Sequence, residues 1–278
     1  MVVSYHPVIQ GDVNRLCAGR IPDEEDRQWM RRARAVILPQ GCPEPLYRMA
    51  AAHCRHVFPD FRTRFLYPGK IGDIRLFRAL GLPHPPSRLF SSVKHCPASL
   101  WKDLQYPVVL KSSHGGEGNL VFKVERPEEA LECLKILEGM ERSGFGGFVV
   151  QPFVENDGRD LRVVVVGQTM LSYWRVQKDS TQFLHNAAQG AVIDHESDPD
   201  LQTEGRRWVR TLCRDTGINL AGMDLLFPVV QGGKPGPPLF LEINYYFGRK
   251  GLGGSERFYA LLRREVSAWL KGLGLCLG

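Results

Sequence analysis

No apolar run in this chain approaches the roughly 20 residues that span a bilayer, and no membrane role is expected. The first residues, Met1-Val2-Val3-Ser4-Tyr5-His6, lack the basic segment and long apolar stretch of a secretory signal, so none is expected. The seven cysteines are odd in number, scattered, and without a Cys-x-x-Cys pair. That excludes a disulfide framework and points to reduced thiols in a cytoplasmic compartment. His53, Cys54 and His56 are close in sequence, but only Cys42 is at hand as a fourth ligand and helical spacing would scatter them. No metal is expected there. There is no internal repeat, no low-complexity stretch and no Ser/His/Asp or Cys/His nucleophile set. The net charge of +6 raises the question of nucleic acid. The arginines are spread out, with mild clusters only at Arg31-Arg32-Arg34 and Arg206-Arg207-Arg210, which read as solvated helix faces. A nucleic-acid partner is not expected, and a homo-oligomer stays open.

What is present is a set of apolar strands carrying polar residues at fixed intervals. Ala221 to Phe227 and Leu239 to Asn244 are two such runs, joined by a Pro/Gly-rich hairpin loop from Gln231 to Pro238. Residues two apart on a strand share a face. Glu242 and Asn244 therefore project together, with Asp224 on the neighbouring strand. Two carboxylates and a carboxamide form a hard, oxygen-only site suited to Mg²⁺ held partly by substrate phosphates. Edge strands with solvent-facing polar residues would give the same pattern, but acids in runs this apolar usually have a partner or an ion.

Tyr106 to Lys111 reads as a buried strand ending in lysine. A glycine-rich turn follows, His114-Gly115-Gly116-Glu117-Gly118-Asn119, and then the strand Leu120 to Val124. Glycines let backbone N–H groups approach phosphate oxygens, and Lys111 adds a point charge. The Gly-Lys-Ser/Thr ending of a Walker A loop is missing. Two more strands, Phe148 to Glu155 and Gly158 to Gly167, flank a polar connection, with Asp160 and Arg162 on one face. Tyr173-Trp174-Arg175 and His185-Asn186 follow.

In this order the blocks resemble the ATP-grasp superfamily, and within it the RimK-like carboxylate–amine ligases. The resemblance covers roughly residues 66–260 and begins at Pro68-Gly69-Lys70, where a lysine precedes a helix. It implies an α+β ATP-grasp fold, two sheet-containing lobes clamping ATP, preceded by a small α/β N-terminal domain. It implies ATP with one or two Mg²⁺ ions, Mn²⁺ being an alternative. Lys111 and Lys70 would meet the phosphates under the loop bearing Gly115, Gly116 and Gly118. Gln151, Phe153 and Val154 would hold the adenine edge. Pro152 has no N–H, which leaves Val154 as the donor. Glu155 or Asp160 would reach the ribose or the hinge. Arg175 would stabilise the transferring phosphoryl group, with Asn186 near the phosphates, and Asp224, Glu242 and Asn244 would hold the metal. Arg162 is expected at the substrate.

The departure from the family lies after Asn244, where a compact turn with Pro and Gly is usual. Here Tyr245-Tyr246-Phe247-Gly248-Arg249-Lys250 stands instead. Arg249 can pair with a carboxylate, so an anionic acceptor is expected there, unless the tyrosines pack inward and the cations face water. The expected units are 1–66, small α/β; 67–105, a linker and helical subdomain; 106–155, the lid lobe; and 156–278, the lobe with the metal site. Helices are expected over about 22–34, 45–53, 127–141, 200–216 and 256–270. The reaction implied is amide formation between a carboxylate and an amine, small molecules or peptides, through an acyl phosphate. A kinase on the same fold, or a non-catalytic nucleotide-responsive module, remains the alternative.

Overall fold

The computed structural model describes residues 1–115, 120–177, 191–230 and 232–278. Short apolar strands alternate with helices at the start: β1 (Val2–Ser4), β2 (Val13–Asn14), α1 (Glu24–Arg32), β3 (Ala35–Ile37), α2 (Glu44–His53) and β4 (Val57–Phe58). The strands pair in parallel in the order β2-β1-β3-β4. Helix α1 begins where Asp23 and Asp26 cap one another's backbone N–H groups, two residues inside the expected start.

The second sheet is antiparallel. The chain runs through α3 (Arg62–Leu66), α4 (Gly69–Ala79), β5 (Arg88–Phe90) and α5 (Leu100–Asp103) to β6 (Val108–Ser112) and β7 (Val121–Val124). Helix α6 (Pro127–Arg142) and β8 (Phe148–Pro152) complete the lobe. Strand order is β5-β8-β6-β7. Strand β5 therefore joins the sheet of the lid lobe, whereas the sequence reading left residues 88–90 in the linker. Three residues carry too little pattern to be assigned alone, and it is pairing with β8 that makes them a strand.

The third sheet positions the site. It comprises β9 (Arg159–Val166), β10 (Thr169–Val176), β11 (Val192–Asp194), β12 (Leu220–Leu226) and β13 (Leu239–Asn244), antiparallel in the order β11-β10-β9-β12-β13. One face buries Val163, Val165 and Met223 against α4 and α7 (Pro199–Thr216). The other buries Val164, Val166 and Tyr173 against α8 (Ser255–Gly272) and the parallel sheet. A strand covered on both sides reads as an unbroken apolar run, which is why β9 continues Val163-Val164-Val165-Val166.

Strand β13 contains a bulge. Asp224 faces Glu242 while Leu225 faces Phe240, so Leu241 is the extra residue. The bulge shifts the alternation by one position. Phe240 and Ile243 both reach the α4 side, yet Glu242 and Asn244 stay on the opposite face.

Helix α4 lies tight against what precedes it. A Cβ on Gly72 would stand 2.2 Å from the carbonyl carbon of Tyr67, which is backbone and cannot rotate away. Gly72→Ala is expected to destabilise the fold by roughly 1–3 kcal/mol through overpacking. A urea titration should show a lower midpoint, and an unchanged midpoint would mean that α4 shifts freely.

Candidate functional site between the two lobes

Asp224 on β12 and Glu242 on β13 stand directly opposite each other, so both carboxylates leave the same face. Asn244 bridges them: its Nδ2 donates to Glu242 Oε1 at 3.0 Å and to Asp224 Oδ2 at 3.2 Å. On the other side of β12, Arg162 of β9 is paired in register with Asp224 and binds it through two nitrogens, Nε and Nη2. Arg175 of β10 is in register with Asp160. Its guanidinium reaches Asp160 Oδ2 at 2.5 Å and Asp224 Oδ2 at 2.9 Å. Asp160, Arg162, Arg175 and Asp224 are all buried. Charges can be buried together only when each is paired and hydrogen-bonded, and the in-register alternation of signs achieves this.

The second lobe and α4 add cations. Lys70 Nζ lies 3.3 Å from Glu242 and donates to the Gly115 carbonyl at 3.1 Å. The Lys70 N–H donates to the Ser113 carbonyl at 3.0 Å, which docks α4 on the end of β6. Lys111 projects from β6 toward the same acids. Burial and, less strongly, Lys70 pull its ammonium down to about 8, against the opposing pull of Glu242. Burial pushes the Glu242 carboxyl up, but Lys70, the Asn244 hydrogen bond and Lys111 outweigh it and hold it at about 2. Burial raises Asp224 in spite of its two arginines. Burial works against the charge on Arg175, and Asp160 and Asp224 more than restore it, keeping it a permanent cation.

Several expected roles look different in place. Asp160, expected at the ribose or hinge, holds Arg175, because the two stand opposite each other across β9 and β10. Arg162, expected at the substrate, is committed to Asp224. Arg249 donates to Ser255 Oγ at 3.2 Å and its guanidinium lies 4.7 Å and 4.5 Å from the ring centroids of Phe258 and Tyr259. Those partners lie on α8 and not on the acid cluster. At the hinge, Gln151 is buried and donates to Ser87, and the Phe153 N–H donates to Pro107 O at 2.9 Å. Among the described residues the Val154 N–H has no partner, while the Glu155 carbonyl accepts from Val229. Gly116, Gly118, His185 and Asn186 lie outside the described residues. Cys54 is buried, with Sγ near the Ala33 and His56 carbonyls. Among the described residues no group of three or more His, Cys, Asp or Glu side chains is placed to hold a metal ion. A cation at the cluster would thus rest on Asp224, Glu242 and the Asn244 carboxamide, a donor set whose chemistry fits Mg²⁺.

Asp73 was missed by the sequence reading. It stands three residues after Lys70, on the same face of α4. It is buried, and its Oδ2 accepts the Ile243 N–H at 3.1 Å, between Glu242 and Asn244. Burial, with Glu242 adding to it, pushes this carboxyl up to about 8. The spacing from Lys70 was the available signal; the edge of β13 that it meets was not visible in sequence.

Two antiparallel lobes meeting at buried acids, with Lys111 reaching in from the other sheet, Lys70 from α4 and a small parallel unit ahead of them, define an ATP-grasp protein. The model of the RimK-like ATP-grasp domain matches residues 70–256, and the chain belongs to that family. It is similar to a "Probable alpha-L-glutamate ligase" of Xanthomonas campestris pv. campestris (strain B100), 31% identical over 150 residues, 53% of this chain and 47% of that protein. The chain spans about half the length of the curated relatives it matches. Among solved structures it resembles the RimK domain protein ATP-grasp from Sphaerobacter thermophilus DSM 20745, with TM-score 0.59, 18% identity, and coverage of 84% of this chain and 81% of that one. It also resembles N5-carboxyaminoimidazole synthase from Aspergillus clavatus, solved with ADP and its ribonucleotide, with TM-score 0.59, 15% identity, and coverage of 94% and 68%. At these identities the structural likeness is one of fold.

Two expectations follow. Asp73→Ala strands the buried Ile243 N–H and should cost about 1–3 kcal/mol, whereas Asp73→Asn keeps an acceptor. Because the folded protein holds the Asp73 proton up to about 8, wild-type stability should fall as pH rises from about 4 to 8. Asp73→Asn should flatten that slope, and equal slopes in denaturant titrations would show that Asp73 ionises freely. For Lys111 the sign is opposite in effect: the ammonium is charged below about 8 and neutral above. ATP affinity should fall as pH rises past 8, with proton uptake on binding. Calorimetry in two buffers of different ionisation enthalpy reads this uptake, and Lys111→Arg should abolish it.

Proposed function

We propose that the chain is an ATP- and Mg²⁺-dependent carboxylate–amine ligase that forms an amide through an acyl phosphate. One observation carries this reading: the acid face of Asp224, Glu242 and Asn244 confronts Lys70, Lys111 and Arg175 at the junction of two lobes. That is an arrangement for a polyanion that must be gripped and neutralised in one place.

Asp224, Glu242 and Asn244 would hold Mg²⁺, one or two ions, with Mn²⁺ able to substitute. The ion would supply charge neutralisation at the phosphates. The Val154 N–H, with Gln151, Phe153 and Glu155 around it, would receive the adenine edge. Lys111 and Lys70 would bind phosphate oxygens, and a phosphate arriving beside Lys111 would restore its full charge. Arg175 is fixed by Asp160 and Asp224 before the substrate arrives. A donor that need not reorganise favours the transition state over the ground state. A substrate carboxylate oxygen would attack the γ-phosphorus, and the bond to the β-phosphate oxygen would break to release ADP. An amine would then attack the acyl carbon, expel phosphate and lose its proton to solvent. The acceptors are small-molecule or peptide carboxylates and amines.

With a carboxylate panel, ATP and Mg²⁺ but no amine, hydroxylamine should trap a hydroxamate in step with ADP release. Asp224→Asn and Glu242→Gln should each lower turnover by at least about a hundredfold (some 2.7 kcal/mol of barrier). Glu242→Gln should leave the melting temperature unchanged, whereas Asp224→Asn, which takes the charge that Arg162 and Arg175 are paired with, should also lower it. A phosphorylated product that survives neutral hydroxylamine would replace this reading with a kinase. Failure to form ADP with every carboxylate would replace it with a binding module.

A further inference from the structure

A cavity of about 700 Å³ lies on the five-stranded sheet away from the acid cluster. Leu171 of β10, Ile193 of β11 and His195 beyond β11 line it from the sheet. Lys250, Gly251 and Gly253, from the turn after β13, and Arg257, in the first turn of α8, form its roof. The remaining lining is largely aliphatic. The cavity and the acid cluster share one sheet face. Tyr173 stands directly across from Arg162, and a Cβ on Gly251 would lie 2.2 Å from the Tyr173 ring. The turn therefore rests on Tyr173, whose ring lies between Leu171 of the cavity and Arg175 of the charge cluster along β10.

The charge here is uncompensated. Lys250 and Arg257 are exposed, and among the described residues neither forms an ion pair. The nearest acid on β11, Asp194, accepts the N–H groups of Glu196 and Ser197. The cavity also borders the start of an 18-residue helix whose N-cap, Gly254, offers no side-chain acceptor. Such a terminus favours an anion, and here two unpaired cations and an open cleft lie beside it. The volume falls within the roughly 300–1,000 Å³ of small-molecule sites.

Resting on the ligase reading, we propose that this cavity binds the acceptor: a carboxylate-bearing molecule, its carboxylate held by Lys250 and Arg257 and its aliphatic part on the sheet. Arg249, the cation singled out in the sequence, braces the turn by stacking on Phe258 and Tyr259. The test uses adipate as the anionic probe and uncharged adipamide as its control, titrated calorimetrically into the full chain without nucleotide. Adipate should bind and adipamide should not. The Lys250→Ala/Arg257→Ala double variant should weaken adipate about tenfold or more while binding ATP as the wild type does. No adipate binding, or equal affinity in the double variant, overturns the proposal. Because this readout needs no turnover, it separates from the ligase reading, which falls if hydroxamate and ADP fail to form even where adipate binds.

Discussion

Asp224 is held by two arginines inside the protein, and the rest of the site depends on that pairing. A lone carboxylate buried between β12 and its neighbours would cost several kcal/mol or lose its charge. Arg162 and Arg175 prevent this because both come from strands whose register with β12 and with each other is fixed by the core. Register in this sheet is strongly specified, since a slip of one residue would exchange the valines of β9 with its charges. The same apolar packing that stabilises the sheet thus aligns its acids and bases.

The second lobe completes the charge balance from outside the sheet. Lys70 and Asp73 lie one turn apart on α4, one bonded to Glu242 and the other to the backbone beside it. The start of α4 is in turn fastened to β6 through Ser113, next to Lys111. A displacement of the lid lobe would therefore be felt at Glu242 through α4. Gly69 keeps this contact close, since a Cβ there would stand 2.5 Å from the Ser113 carbonyl oxygen.

Much of this was legible in the sequence. The strands bearing Lys111, Asp160, Arg162, Asp224 and Glu242, and the long helices α6, α7 and α8, announce themselves through apolar runs and helical periodicity. The convergence of Asp224, Glu242 and Asn244 followed from two-residue spacing on one strand and a hairpin to its neighbour. Strand β5 was not legible, because three residues make a strand only when β8 is beside them. Nor was the bulge at Leu241, which puts Phe240 and Ile243 on the core side where strict alternation would separate them. The partners of Asp160, Arg162 and Arg249 were also out of reach, since each is met on an element distant in sequence or set by packing.

The sequence by itself determined which side chains could do chemistry and which strands would carry them, because periodicity and residue type are local properties. The tertiary structure alone decided who faces whom: Asp73 against Ile243, Arg175 between Asp160 and Asp224, Arg249 over the α8 aromatics, and Lys250 with Arg257 around a cavity. Those choices rest on register, bulges and helix docking, which are settled by burial of apolar surface across the whole chain, and no short stretch of sequence contains that sum.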